Sequence, residues 1–389
     1  MTIRRAERLE KVPPYLAIEI DRKKRDLIAA GVDVIDFGVG DPDRPTPEFV
    51  VRAMERAIRD PKNHTYALAV GVREYRQAAA DSLARRFDVR VDPVKELVPL
   101  IGSKDAVAHL PLAFVNPGDS VLVPDPGYPT YVSGSVLAGG VPYPMRLTEA
   151  NDWLPRFDEI PEQIARSARI LYLNYPNNPT GAVAPLSLFE EAVAFARRYG
   201  ILLVHDAAYI DNYFDEPAPS VLQVPGAMDC AIELHSLSKS FNMTGWRIGF
   251  AAGCGPAIQA LAALKTHLDS GPFKAIQWAA CEALRDTGGE HMRSMHELYR
   301  RRRDVLVDGL NGLGLSVRPP RGAFYVWAHC PAGADSLPFT HRLLDEAAVM
   351  VFPGLGFGAG GEGYFRMGLT VEEPRIREAL ERMRKVLGS

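Results

Sequence analysis

Lys239 stands in SLSKSFNMTGWRIGF, residues 236 to 250, among Ser236, Ser238 and Ser240 and eight positions before Arg247. Such a group can hold an anion and still present a nucleophile, since arginine grips phosphate through a two-bond fork and an unprotonated lysine attacks carbonyls. The stretch follows one apolar run, AIEL, and leads into another, GFAAG, so this chemistry falls between two strand-like segments. Upstream, IGSKDAVAHLPLAFV puts Gly102 and Ser103 at the start of a predicted helix, where free N–H groups favour phosphate; an N-capping serine on an ordinary helix would be spelled the same way. PNNPTG, residues 176 to 181, offers Asn178 from a proline-fixed turn, and HDAAY sets Asp206 three residues before Tyr209. Taken singly, these read better as a turn, a helix cap and a packed ring.

Their order along the chain changes that reading. An anion cradle, a turn asparagine, a strand-end aspartate with its tyrosine, then SxSK and an arginine are the set needed to hold a phosphorylated pyridine aldehyde. Asp206 can keep a ring nitrogen protonated, because a carboxylate favours a neighbouring cation. Asn178 and Tyr209 can donate to the ring hydroxyl oxygen, while Ser236, Ser238 and Arg247 hold the phosphate. Lys239 is then the amine that condenses with the aldehyde.

These residues need a scaffold, and the surrounding text supplies one. From about residue 95 to 255, short β-rich runs (SVLVPD, ARILYLNYP, ILLVHDAAY, AIELHS, RIGFAAG) alternate with helical patterns, which implies βαβ units and a mainly parallel sheet covered on both faces. Ser187 and Glu190 spell a capping box, apolar Ala192, Val193, Phe195 and Ala196 follow at helical spacing, and Gly200 ends the helix. The next run, ILLVHD, delivers Asp206 to a strand's C-terminal end, where open parallel sheets bind ligands. After residue 285 a charged helix, the strand GAFYVWAHC, another helix and a Gly-rich turn before YFRMGLT suggest a separate small α/β layer.

Length and composition bound the answer. A chain of 389 residues exceeds one ordinary domain, and a net charge of −3 suggests neither nucleic acid nor an anionic membrane as the main partner. No window approaches the roughly 20 apolar residues of a membrane span. Cys230, Cys254, Cys281 and Cys330 are scattered, with no CxxC and no metal-ligand spacing, so reduced thiols in a cytoplasmic protein and no metal are expected. GFGAGGEG near residue 360 lacks the strand, helix and acidic residue of a dinucleotide site.

NNPTG, HDAAY and SLSKSFNMTGWRIGF resemble the signature segments of the class I/II aminotransferases, the fold-type-I family that uses pyridoxal 5′-phosphate; FGVGDPD, PDPGYPTY, GAFYVW and YFRMGLT extend the likeness over nearly the whole chain. The resemblance implies a large domain (47–284) with a mainly parallel sheet covered by helices, a small α/β domain (285–389) and an N-terminal segment (1–46) joining the latter. It implies that Lys239, Asp206 and Tyr209 are catalytic and that Tyr128 stacks on the cofactor ring. By the same likeness Tyr66 reaches the phosphate of a neighbouring subunit's cofactor, hence a homodimer with shared sites. Arg366 would grip the substrate α-carboxylate, with Val39 and Gly40 beside it. The implied reaction exchanges an amino group between an amino acid and a 2-oxo acid.

Within the family, VPPYLAIEIDRKK, GVGDPDRPTPEFV and LDSGPFKAIQ look most like LL-diaminopimelate aminotransferases, which would place Lys104 and Tyr15 near the distal end of the substrate, with 2-oxoglutarate as acceptor. His267 stands where that group has asparagine, and HTYALAVG replaces its Y-P-S-Y text. Aspartate-, alanine- or aromatic-type aminotransferases are the alternatives. A pyridoxal-phosphate lyase would share Lys239 and Asp206, whereas a cofactor-sensing transcriptional regulator would need an added DNA-binding domain.

Overall fold

The computed structural model describes residues 3–13, 16–286 and 288–388. A two-residue strand, β1 (Ile35–Asp36), precedes the main sheet of β2 (Leu97–Leu100), β3 (Ser120–Asp125), β4 (Val141–Arg146), β5 (Ala168–Asn174), β6 (Leu202–Asp206), β7 (Ala231–Ser236) and β8 (Gly249–Gly253). Spatial order is β2-β8-β7-β6-β5-β3-β4. From β4 to β7 every pairing is parallel, and β8 runs antiparallel to both β7 and β2. Every residue of β6 and β7 is buried, as a central strand covered on both faces requires. Alternation sends Leu171, Leu173 and Leu203 into one apolar cluster and Ile170, Tyr172 and Val204 into another. Each such side chain contributes on the order of 1.5–3 kcal/mol of burial.

Two helices show how local sequence sets direction. The helix Ser103–Phe114 begins directly after Gly102, whose φ of 73° turns the chain off β2. Gly102, not Ser103, is its N-cap and no side chain caps it, so the capping-serine alternative is not what forms. The helix Leu186–Tyr199 ends on left-handed Gly200 as expected, but the capping box does not form. Pro185 is the N-cap, which puts Ser187 inside the first turn instead of before it.

Beyond the main sheet the chain adds β9 (Tyr325–His329), β10 (Val349–Met350), β11 (Phe352–Pro353) and β12 (Tyr364–Gly368). β11, β12 and β9 form an antiparallel sheet in that order. Helices Glu290–Asn311, Ser336–Ala347 and Glu373–Leu387 cover it, with Leu306, Leu310, Leu343, Ile376 and Met383 packed on Phe365 and Met367. β1 pairs in parallel with β10, which draws the strip of residues 35–43 onto this layer. Arg302, almost fully buried, holds the strip with two bonds of 2.7 Å to Asp43 and a third to the Leu369 carbonyl.

Candidate active site

Asn174, Asp206 and Ser236 are the last residues of β5, β6 and β7; parallel pairing sets Asn174 beside Asp206 and Asp206 beside Leu234, with Ser236 two residues further on at the same end of the sheet. A cavity of about 680 Å³ opens over these ends and is bounded across from them by the 38–41 strip, Tyr325, Phe352, Phe357 and Arg366. That volume suits a small-molecule ligand.

Lys239 rises into it from the four-residue helical turn Leu237–Ser240, N-capped by the Ser236 hydroxyl, which accepts from the Ser238 N–H at 3.3 Å. Its Nζ donates to the Gly40 carbonyl at 2.7 Å. Burial, opposed by Asp41 and aided by the positive Arg366 and Arg247, brings the Lys239 amine down from 10.5 to about 8. A lysine so placed is a far better base and nucleophile near neutrality than a solvated one.

Asp206 lies beneath the same cavity, 5% exposed. Burial pushes its carboxyl upward, and the Tyr131 hydroxyl (2.8 Å to Oδ2), the His205 charge and the Ala208 N–H only partly counter this. Asn174 ties the strand end by donating to the Asp206 carbonyl at 2.7 Å, and its Oδ1 accepts from the Asn178 N–H at 2.8 Å, fixing the PNNPTG turn. The Tyr209 and Tyr325 hydroxyls share a bond of 2.9 Å. Tyr128 meets Tyr131 edge to face at 5.8 Å, and Lys104 Nζ stands 5.9 Å from the Tyr128 ring at the rim.

Ser103, Ser236, Ser238 and Arg247 gather at one end. Arg247, at a φ of 54°, donates to the Thr244 carbonyl at 2.9 Å and approaches the Ser238 hydroxyl at 3.4 Å. A Cβ at Gly102 would crowd that guanidinium, and the φ of 73° there is one that L side chains rarely adopt. At the opposite end Arg366 donates to Asn178 Oδ1 and to the Gly38 carbonyl, each at 2.7 Å. Its Nε, buried, has no hydrogen-bond partner among the described residues, and the guanidinium lies 4.1 Å from the Tyr325 ring centroid and 4.8 Å from that of Phe357.

The Lys239 amine, the Asp206 carboxylate and the opposed guanidinium ends of Arg247 and Arg366 thus converge. The donor set fits pyridoxal 5′-phosphate: a cradle of hydroxyls, helix N–H groups and Arg247 for the phosphate, a carboxylate whose burial a protonated ring nitrogen would offset, and an amine within the same cavity for the aldehyde. Arg366, with an unused Nε–H, retains capacity for a carboxylate.

Most expected residues meet here: Val39, Gly40, Ser103, Lys104, Tyr128, Asn178, Asp206, Tyr209, Ser236, Ser238, Lys239, Arg247 and Arg366 line the cavity, with Gly102 just behind. Tyr66, 76% exposed, and His267, exposed near the end of the helix Gly255–Leu268, do not line it in the single chain. Tyr15 lies outside the described residues. Sequence reasoning passed over Tyr131, Asn174 and Tyr325, although each sits inside a quoted motif, Tyr131 three residues after Tyr128 and Asn174 four before Asn178. The strand-end rule that selected Asp206 would also have selected Asn174. Elsewhere, Asp105, His109 and Asp269 come close enough to share a cation, but Lys265 Nζ already bonds both carboxylates.

The fold and this site define a pyridoxal-phosphate transaminase of fold type I. The profile of the family described as "Aminotransferase class I and II" matches residues 32–383, and the chain belongs to that family; it is a pyridoxal 5′-phosphate-dependent aminotransferase. Among its relatives are the LL-diaminopimelate aminotransferase of Desulforudis audaxviator, 51% identical over 100% of this chain and 99% of that one, and LL-diaminopimelate aminotransferase 2 of Trichormus variabilis, 52% identical over 97% of each. Substrate-bound BacF from Bacillus subtilis superposes with a TM-score of 0.96 at 36% identity, covering 99% of this chain and 98% of that one.

Proposed function

We propose that this enzyme moves an amino group from LL-2,6-diaminopimelate to a 2-oxo acid, with 2-oxoglutarate as acceptor. One observation carries the site assignment: the lowered amine of Lys239, the buried carboxylate of Asp206 and the buried guanidinium of Arg366 converge on one cavity. The two relatives above, both named for LL-diaminopimelate and about half identical over nearly their full length, support the donor. The cavity also extends past Lys104 to Asp21 and Arg25, polar groups suited to a substrate whose far end carries charge.

Bound cofactor supplies an electron sink for the charge left on the substrate Cα. Arg366 grips the α-carboxylate, and Asn178, already bonded to it, holds the fork in plane. Lys239 Nζ takes the Cα proton, a task its lowered affinity for protons permits near neutral pH. When bound, the cofactor would be held by Asp206 at the ring nitrogen, by Tyr209 and the Asn178 amide at the ring hydroxyl oxygen, by Tyr128 against the ring, and by Ser103, Ser236, Ser238 and Arg247 at the phosphate.

We further propose a cytoplasmic homodimer whose subunits divide as a large domain at 47–284 and a small domain at 285–389 joined by 1–46. The four cysteines are free, and the pairing of β1 with β10 supports the joining of the N-terminal segment. Exposed Tyr66, Leu68 and Val70 adjoin exposed Leu268 and Phe273, for His64 and Phe273 rings lie 6.4 Å apart and Lys274 bonds Thr65. A second copy covering this apolar patch would bring Tyr66 and His267 toward its neighbour's cavity. Mixed dimers of Lys239→Ala and Tyr66→Ala chains should then regain activity that neither parent has.

Separate half-reaction titrations test the donor. Rapid change of the cofactor absorbance with LL-diaminopimelate and not with aspartate is expected; conversion by aspartate alone would move the enzyme to another donor class.

A further inference from the structure

Behind the site, on the opposite face of the sheet from Asp206, lies a polar cluster that the chemistry above does not use. Glu233 on β7 pairs in register with His205 on β6, and both are 0% exposed. Glu233 Oε2 meets His205 Nδ1 at 2.8 Å and the Val221 N–H at 3.0 Å; Oε1 meets His235 Nε2 at 2.7 Å. The Ser220 hydroxyl lies 2.8 and 2.9 Å from the two oxygens and accepts the Leu222 N–H at 3.1 Å, which leaves its own proton for the carboxylate. His205 Nε2 faces the Tyr175 carbonyl at 2.9 Å.

Proton accounting fixes the charges. A carbonyl only accepts, so His205 Nε2 carries a proton. Glu233 is surrounded by donors, and although burial works to raise it, the hydrogen bonds and charges of His205 and His235 hold it well below the usual carboxylate range. A carboxylate also only accepts, so His205 Nδ1 carries a proton as well. His205 is therefore an imidazolium, sealed from water beside Phe189 and adjacent in sequence to Asp206.

We propose that Glu233 and His205 are positioning residues for the ring-nitrogen contact: Glu233 stabilises the imidazolium, whose fixed positive charge keeps the neighbouring Asp206 carboxylate ionised. Burial pushes the Asp206 carboxyl upward, toward the neutral acid that could not pair with a pyridinium, and the Tyr131 hydrogen bond and the His205 charge act against that shift. The same imidazolium anchors Tyr175, the residue that leads from β5 into the turn bearing Asn178. This inference rests on the pairing of Asp206 with the ring nitrogen.

The test compares dissociation constants for pyridoxal 5′-phosphate and its 1-deaza analogue, in which carbon replaces the ring nitrogen. His205→Gln and Glu233→Gln should weaken pyridoxal 5′-phosphate about tenfold, the equivalent of one pKa unit at Asp206, and leave the analogue within about twofold. Equal weakening of both, or of neither, would overturn the proposal, since a role in packing alone cannot tell ring nitrogen from carbon. Asp206→Asn is the control: if it too fails to discriminate, the reading of Asp206 is at fault, and if it alone discriminates, only the Glu233–His205 proposal fails. Should the variants not fold, nitrogen-15 spectra of the unaltered protein decide, with protons on both His205 nitrogens expected and a singly protonated ring overturning the inference.

Discussion

Replacing Arg366 by Ala should weaken amino-acid binding without weakening cofactor binding. Two charge-assisted hydrogen bonds to a substrate carboxylate would contribute about 3–6 kcal/mol in all. The same guanidinium, however, also donates to Asn178 and to the Gly38 carbonyl. Substrate therefore exchanges bonds as well as adding one at Nε, and the net loss falls to about 2–3 kcal/mol, an increase of roughly 30- to 150-fold in the dissociation constant. Arg366→Lys should fall between, for it keeps charge but loses the fork and the stack on Tyr325 and Phe357. The assay is the half-reaction titration, run beside a direct measurement of cofactor affinity. Amino-acid binding within about threefold of the unaltered enzyme, or an equal loss of cofactor affinity, would refute the placement of the carboxylate on Arg366.

Lys239→Ala should lower turnover more than about 1,000-fold and abolish covalent trapping of the cofactor by borohydride, read by mass spectrometry. Asp206→Asn should lower kcat about 100- to 1,000-fold, and a value near that of the unaltered enzyme would remove Asp206 from the site. Because the folded Lys239 amine sits at about 8, capture of pyridoxal 5′-phosphate by the apoprotein should quicken with rising pH up to about 8 and level off above, whereas an ordinary lysine would keep accelerating toward 10.5. The same depression means that the unfolded chain binds more protons between these two values, so this group's contribution to stability grows as pH rises through that window. Arg302→Ala should cost about 3 kcal/mol in denaturant unfolding, since it strands Asp43, and an unchanged midpoint would show that the strip is held elsewhere.

The central strands were legible because β-branched and aliphatic runs ended at chemistry-bearing residues; ILLVHD announced both β6 and the place of Asp206. What the sequence did not spell was contact across the fold. Tyr131 reaches Asp206 over 75 positions, and Tyr325 reaches Tyr209 over 116, distances that no local periodicity encodes. The Ser187 capping box failed because a proline two residues earlier starts the helix sooner than the motif allows. His267 lies exposed near the end of a helix and Tyr66 on an exposed loop, and nothing in their neighbours' text could place either of them.

The strip of residues 38–40 gives the site an internal competitor. Its Gly38 carbonyl occupies Arg366, and its Gly40 carbonyl occupies Lys239. Under the proposed assignment Arg366 meets the substrate carboxylate and Lys239 the cofactor aldehyde, so each arriving ligand displaces a piece of the protein's own backbone. Selectivity then has a threshold: a molecule with an amine but no carboxylate offers Arg366 nothing to outbid Gly38, and the strip stays seated. Release of both carbonyls frees the strip from the floor of the cavity, while its far end remains moored through Asp43 to Arg302 on the small layer. Under that assignment the same few residues of backbone join both ligand positions to Arg302 on the small layer.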